Sequence, residues 1–131
     1  MLDLDNFKGV NDTLGLDVGD LLLKEAAERL STTLRKSDTI ARFGGDEFAL
    51  ILPEMSVREN AIHVAKKIVD IFCNPFLLDT HKLVVTASIG IAVYPDDGED
   101  EGMLLKNADI AMYQAKQGGR ARYQLYKKPE M

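Results

Sequence analysis

The chain opens on alternation. Met1-Leu2-Asp3-Leu4-Asp5 puts apolar and acidic side chains on opposite sides, which predicts the end of a β-strand. Phe7, Val10 and Leu14 follow at helical spacing, with Asp5 or Asn6 placed to cap a short helix. The polar, glycine-punctuated stretch from Asn11 to Asp20 predicts a loop. Leu22, Leu23, Ala26, Ala27, Leu30 and Leu34 form the stripe of a one-sided helix. Its Lys24, Glu25, Glu28 and Arg29 are expected to face solvent, and Arg35 and Lys36 suit the negative end of its dipole. Thr39-Ile40-Ala41 and Ala49-Leu50-Ile51-Leu52 are strand-like runs joined across Gly44-Gly45. They predict a hairpin whose glycines supply positive φ at the turn.

Beyond Pro53, Ser56-Val57-Arg58-Glu59 has the form of a capping box. The helix it would open carries Ala61, Val64, Ala65, Ile68, Ile71 and Phe72, and Asn74-Pro75 breaks it. Phe76-Leu77-Leu78, a turn at Asp79-Thr80-His81 and a long run from Leu83 to Tyr94 predict a strand pair. The run is apolar or small at nearly every position from Val84 to Val93, as in a strand covered on both faces. After the turn Pro95-Asp96-Asp97-Gly98, a last helix carries Leu104, Leu105, Ala108, Ala111, Met112 and Ala115 up to Gly118-Gly119. Tyr123, Leu125 and Tyr126 read as a closing edge strand, and Lys127-Lys128-Pro129 as the start of a linker. The order β-α-α-β-β-α-β-β-α-β predicts an α+β architecture with a central, mostly antiparallel sheet flanked by helices.

Composition narrows what this scaffold does. At 131 residues, 46% apolar and 28% charged, the chain is one domain with enough hydrophobic material for a core. A net charge of −5 argues against a nucleic-acid polymer as partner, and leaves open a single nucleotide escorted by a divalent metal. The lone Cys73 excludes an internal disulfide framework and a cysteine-cluster zinc site, and reads as a half-buried small hydrophobe near a helix end. His63 has no second ligand at metal spacing and is expected to be structural or exposed. No apolar run approaches the ~20 residues that span a bilayer, and no signal peptide is visible; a reducing, cytoplasmic setting is expected.

Several residues carry chemistry that their types alone leave open. Asp46 and Glu47 sit at the hairpin tip and should point in different directions, since side chains alternate along a strand. Asp3 and Asp5 either cap and solubilise, or offer carboxylates to a metal at a strand end. Asn11 and Asp20 are turn formers or readers of a base edge. Lys116 and Arg120 complement a helix C-terminus or grip phosphate. Arg35-x-x-Asp38 is a surface pair or an arginine–carboxylate ligand site.

Taken together, Gly44-Gly45-Asp46-Glu47-Phe48, Asp3-Leu4-Asp5-Asn6-Phe7-Lys8, Asn11-Asp12-Thr13-Leu14-Gly15 and Gly19-Asp20 resemble the GGDEF family of diguanylate cyclase domains. So do Ser88-Ile89-Gly90-Ile91-Ala92, Ala108-Asp109, Met112-Tyr113, Ala115-Lys116 and Gly119-Arg120, in the family's order. The resemblance implies a palm-like fold similar to nucleotidyl cyclases, and a reaction in which two GTP condense to cyclic di-GMP with release of two pyrophosphates. It implies Asp3, the Leu4 carbonyl and Asp46 as ligands of Mg²⁺ or Mn²⁺, two ions per half-site, with Asp46 also accepting the proton. Glu47 matches a position important for activity, Lys8 a transition-state stabiliser, Phe7, Lys116 and Arg120 triphosphate contacts, and Asn11 and Asp20 the guanine contacts. Arg35 and Asp38 match an inhibitory site for the product, where Lys67 stands in place of a helping arginine. Leu16 stands where the family commonly has histidine. Catalysis by such domains implies a homodimer of half-sites. The domain would occupy residues 1–126, lacking the family's opening helix and most of its first strand, with a linker starting over 127–131. The ending resembles the junction to an EAL-type phosphodiesterase domain, so the expected parent is larger, with fused sensory and EAL-type domains, whether or not it is membrane-anchored. A catalytically silent module that binds GTP or cyclic di-GMP for a neighbouring domain is the alternative.

Overall fold

The computed structural model describes residues 1–53 and 58–127. In chain order it contains β1 (Leu2–Leu4), α1 (Phe7–Leu14), α2 (Leu16–Thr33), β2 (Thr39–Arg42), β3 (Glu47–Ile51) and α3 (Arg58–Phe72). There follow β4 (Phe76–Leu78), β5 (His81–Leu83), β6 (Ala87–Ile91), α4 (Glu101–Gln117) and β7 (Arg122–Leu125). Five strands form one sheet in the order β2-β3-β1-β6-β7, and β4-β5 form a separate pair. All neighbours in the main sheet are antiparallel except β6 and β7, which run parallel. The expected α+β, mostly antiparallel architecture is the one observed.

Strand alternation divides the molecule. Leu2, Leu4, Phe48, Ala87 and Ile89 turn to one face and bury against Val18, Leu22, Ala26 and Leu30 of α2 and Ala65, Ile68 and Phe72 of α3. Each such leucine or phenylalanine contributes about 1.5–3 kcal/mol by leaving water. On the other face Met1 and Ala49 meet Ala108 and Met112 of α4. There Gly90 is the point of closest approach: a β-carbon on it would collide with the Ala108 carbonyl and the Met112 backbone. Only glycine lets α4 lie this near the strand.

Five local expectations are corrected. The stretch 11–20 is helical: α1 runs to Leu14 and α2 starts at Leu16, with Gly15 between them at φ +96. The first turn of α2 is polar because it is exposed, while Val18 and Gly19 anchor it. Asn6 adopts the left-handed conformation, and its side chain caps nothing. The apolar run to Tyr94 splits into β5 and β6 in different sheets. Arg29 does not simply face solvent: Nη1 donates to the carbonyls of Ile71 (3.0 Å) and Asn74 (2.7 Å), and Nη2 to that of Pro75 (2.6 Å). Its guanidinium lies 3.6 Å above the Phe76 ring, so it closes the C-terminal end of α3 as a lysine could not. Cys73 is exposed rather than half-buried, and His63 is exposed. Ser56 and Val57 of the expected capping box, and linker residues 128–131, lie outside the described residues.

Candidate active site

Asp3 lies in the middle of β1 and Asp5 just past its end, two positions on, so both point to the α4 face, opposite Leu2 and Leu4. Asp3 pairs in register with Glu47 on β3 and Ser88 on β6, so the middle strand brings the chain's first carboxylate to the hairpin. The Leu4 amide donates to the Asp46 carbonyl at 3.2 Å, which draws the backbone of Leu4 to the hairpin tip. Asp3, Leu4 and Asp46 therefore meet.

Electrostatics mark this meeting. Burial, then the facing Asp46 carboxylate, push the Asp3 carboxyl up to about 7, with Lys116 pulling the other way. Lys116 Nζ lies 2.9 Å from Asp3 Oδ2 and 3.6 Å from Asp5 Oδ1. The remaining oxygen, Asp3 Oδ1, is buried and has no hydrogen-bond partner among the described residues. The neighbouring Asp46 carboxylate is an acceptor like the Asp3 carboxylate itself. The Glu47 carboxyl is raised by burial first, then by the charges of Asp109 on α4 and of Asp46. Two like charges and an unpartnered buried oxygen fit a divalent cation, whose preferred ligands are carboxylate and carbonyl oxygens. Among the described residues no set of three or more histidine, cysteine or acidic side chains converges on a metal. The donors that would serve a cation here are the two carboxylates and a main-chain carbonyl, with further positions left to a ligand's own oxygens.

The hairpin itself departs from expectation. Phe43 donates to Glu47 at 2.8 Å across a turn of Gly44, Gly45 and Asp46. Neither glycine has positive φ. A β-carbon would meet nothing nearer than Glu47 Oε2 at 3.9 Å from Gly44, and nothing within 4 Å from Gly45. The fold does not require glycine at either place; clear space in front of the main chain is what the pair supplies. Arg42 pins the turn from the side, Nε donating to Gly44 O at 3.2 Å and Nη2 to Gly45 O at 3.1 Å.

Across the α1–α2 junction Asn11 packs against Gly19, the residue before Asp20. The buried Gly19 has the Asn11 carboxamide where a side chain would be. Asp20 then borders a depression of about 600 Å³ between α2 and β2, walled by Leu23, Ala27, Ile40, Arg42 and Phe48. Phe7 is half-buried against the core at the start of α1, and Lys8 beside it is exposed. Arg120 lies in the turn after α4, at φ 63, with Ala121 at φ 50. Two consecutive non-glycine residues in the left-handed region cost on the order of 1–3 kcal/mol each, and persist only where surroundings hold them. Arg35 and Asp38 lie apart from all of these, between α2 and β2. Asp38 accepts from the Arg35 amide at 2.8 Å and from Arg35 Nη2 at 3.2 Å, and Nη2 also donates to Pro53 O at 3.0 Å. Lys67 is exposed on α3.

Sequence reasoning passed over Arg42, Thr86 and Ser88. The last two are hydroxyl residues at alternate positions of an otherwise apolar run, a period-two signal that was there to be read.

The sequence model described as "Diguanylate cyclase, GGDEF domain" matches residues 1–122. The chain is 48% identical over 122 residues to the bifunctional diguanylate cyclase/cyclic di-GMP phosphodiesterase MucR of Pseudomonas aeruginosa, covering 93% of this chain and 18% of that protein. It spans 16–18% of the length of the first curated relatives it matches. The structure superimposes on the GGDEF domain of TpbB from Pseudomonas aeruginosa with a TM-score of 0.95 at 38% identity, over 98% of this chain and 80% of that one. The GGDEF domain of DgcB from Caulobacter crescentus, solved in complex with c-di-GMP, matches with a TM-score of 0.85 at 29% identity, over 97% and 75%.

Proposed function

This chain belongs to the diguanylate cyclase GGDEF domain family, with the nucleotidyl cyclase palm-like fold, and on that premise we propose that it condenses two GTP into cyclic di-GMP. The observation that carries the reading is the meeting of Asp3 with Asp46 beside Lys116, with Asp3 Oδ1 buried and unpartnered. In each of two identical condensations, a ribose 3′-oxygen forms a bond to the α-phosphorus of the other GTP. The bond from that phosphorus to the bridging oxygen breaks, pyrophosphate leaves, and the 3′ proton passes to Asp46. Asp3, the Leu4 carbonyl and Asp46 would hold Mg²⁺ or Mn²⁺, two per half-site; bound there, the cations offset charge on the attacking and leaving oxygens.

The chain's own residues supply the rest. Lys8 stabilises the charge that gathers at the reacting phosphate. Phe7, Lys116 and Arg120 grip the triphosphate, and the open space before Gly44 and Gly45 lets it approach the main chain. Glu47 assists beside the reacting atoms. Asp20 accepts from the N–H donors of the guanine edge, and Asn11 both accepts and donates there. Two half-sites must face each other to build a product of two equal halves, so the active form is a homodimer. The bifunctional name of MucR supports a parent in which a phosphodiesterase domain accompanies this one; a cytoplasmic setting and fused sensory domains belong to the same proposal. Among the described residues no helix is long and apolar enough to cross a membrane.

Incubating the protein with GTP and Mg²⁺ and analysing by mass spectrometry tests the reading. Cyclic di-GMP and pyrophosphate are expected. If GTP binds and no cyclic dinucleotide forms, a silent sensor module replaces the enzyme. Exposed Leu16, in the family's histidine position, is the feature that favours that second reading. Product inhibition through Arg35 and Asp38 requires the existing pair to open, since each already holds the other. Arg35→Ala is expected to weaken cyclic di-GMP binding about tenfold, the worth of one charge-assisted contact; unchanged affinity by titration calorimetry removes the inhibitory role.

A further inference from the structure

Asp5 is a buried carboxylate to which the reading above gives no task. Its oxygens are fully engaged. Oδ1 accepts from Ser88 Oγ at 2.7 Å and lies 3.6 Å from Lys116 Nζ. Oδ2 accepts from Thr86 Oγ1 at 2.7 Å and from the Ala121 amide at 3.1 Å. The contacts divide into two groups. Thr86 and Ser88 belong to the sheet side and fix the carboxylate against β6. Lys116 and Ala121 belong to the end of α4 and to the turn beyond it. That turn is the strained one, with Arg120 and Ala121 both in the left-handed region. Alanine has no polar side chain to stabilise such a backbone locally, so the hold on its amide must come from elsewhere. Asp5 provides it from the position just past β1, on the same side of the sheet as Asp3.

We propose that Asp5 is the positioning residue of the triphosphate grip: its bond to the Ala121 amide fixes the turn that carries Arg120, and its charge aims Lys116. The inference rests on the GTP reading and adds to it a residue that touches no substrate atom. A carboxylate is needed because only an acceptor with two oxygens can serve four donors at once; asparagine keeps one acceptor oxygen and introduces a donor where donors already crowd.

The test separates phosphate from base. Wild type, Asp5→Asn and Ser88→Ala are titrated with Mg²⁺–GTP, with Mg²⁺–pyrophosphate and with guanosine, and hydrogen exchange at the Ala121 amide is followed by NMR. In Asp5→Asn, exchange at Ala121 is expected to speed up. Affinity for GTP and pyrophosphate is expected to fall about tenfold, while guanosine binding stays unchanged. Ser88→Ala leaves the bond to Ala121 in place, and should lower stability without changing the ratio of GTP to guanosine affinity. The inference is overturned if Asp5→Asn weakens GTP and guanosine alike, if it weakens neither, or if Ser88→Ala reproduces its phosphate defect. Should Asp5→Asn fail to fold, Asp5→Glu keeps the charge on a longer arm and must show the same selective loss of phosphate affinity. A wild-type protein that binds GTP no better than guanosine sinks the nucleotide reading itself, an outcome distinct from a variant that keeps the preference.

Discussion

The two faces of the sheet are built for different ends. The face against α2 and α3 is apolar throughout: Leu2, Leu4, Phe48, Ala87 and Ile89 meet leucines, alanines, an isoleucine and a phenylalanine. The face toward α4 is where buried polarity gathers. Asp3, Asp5 and Ser88 point to it, and Asn107 lies on α4 itself, donating to the Asp97 carbonyl at 2.7 Å. Three strands serve both, since successive residues go to alternate sides. The comparison teaches that stability is invested in one face so that the other can hold like charges together. A charged cluster this tight costs folding free energy in the absence of a counterion, and a hydrophobic face of this extent offsets it.

Substitutions can break that division. The largest expected effect is on the polar face: Asp46→Asn should lower turnover by about a thousandfold, or about 4 kcal/mol of transition-state stabilisation, with the fold intact by circular dichroism. Next comes the apolar face, where Leu22→Ala should destabilise by about 3 kcal/mol in urea unfolding and leave activity per folded molecule unchanged. A smaller loss is expected at the rim. Arg29→Met removes three carbonyl contacts and the stacking on Phe76, for about 2 kcal/mol in the same assay. The finest probe is pH. The Asp3 carboxyl holds its proton more tightly folded than unfolded, so its contribution to stability is full below 3.8 and is lost as pH rises to about 7. Glu47 is shifted in the same direction. The urea midpoint of the metal-free protein should therefore fall across this window. Asp3→Asn should flatten the fall, and Mg²⁺ at pH 8 should reverse it; a midpoint indifferent to both would unsettle the picture of two crowded carboxylates.

The apolar face was almost wholly legible in the sequence, because burial writes itself as periodicity. The stripe of α2, the stripe of α3 and the hairpin partners all follow from spacing. What escaped was where long-range contacts overrule local pattern. The first turn of α2 is polar and glycine-bearing, and reads as a loop until Val18 and Gly19 are seen to dock on their neighbours. The run from Leu83 to Tyr94 carries no signal for the sheet change at Val84 to Thr86, since apolar residues suit either sheet. Arg29 looked like one more exposed cation because its partners, Ile71, Asn74 and Pro75, are more than forty positions away. On the polar face, the family's motifs picked out Asp3, Lys8, Asp46 and Lys116 by resemblance. Spacing alone left each of them with an ordinary alternative. Asp5 stayed ambiguous because its contacts are four donors drawn from two distant segments, Thr86 to Ser88 and Lys116 to Ala121, which no local window contains.

Gly90 has one more consequence. Where a helix rests on side chains, their rotamers absorb small errors, and the helix can settle a little higher or lower. Here α4 bears on the main chain of β6 at that point, and a peptide backbone has no rotamer to give. Sliding by a single residue would carry Lys116 about 1.5 Å along the helix axis, against a separation from Asp3 of 2.9 Å. The reach of that ammonium group is thus gauged by a missing side chain some twenty-six residues upstream, and a methyl added there would press on Ala108 and Met112 and be passed along α4 to the carboxylates.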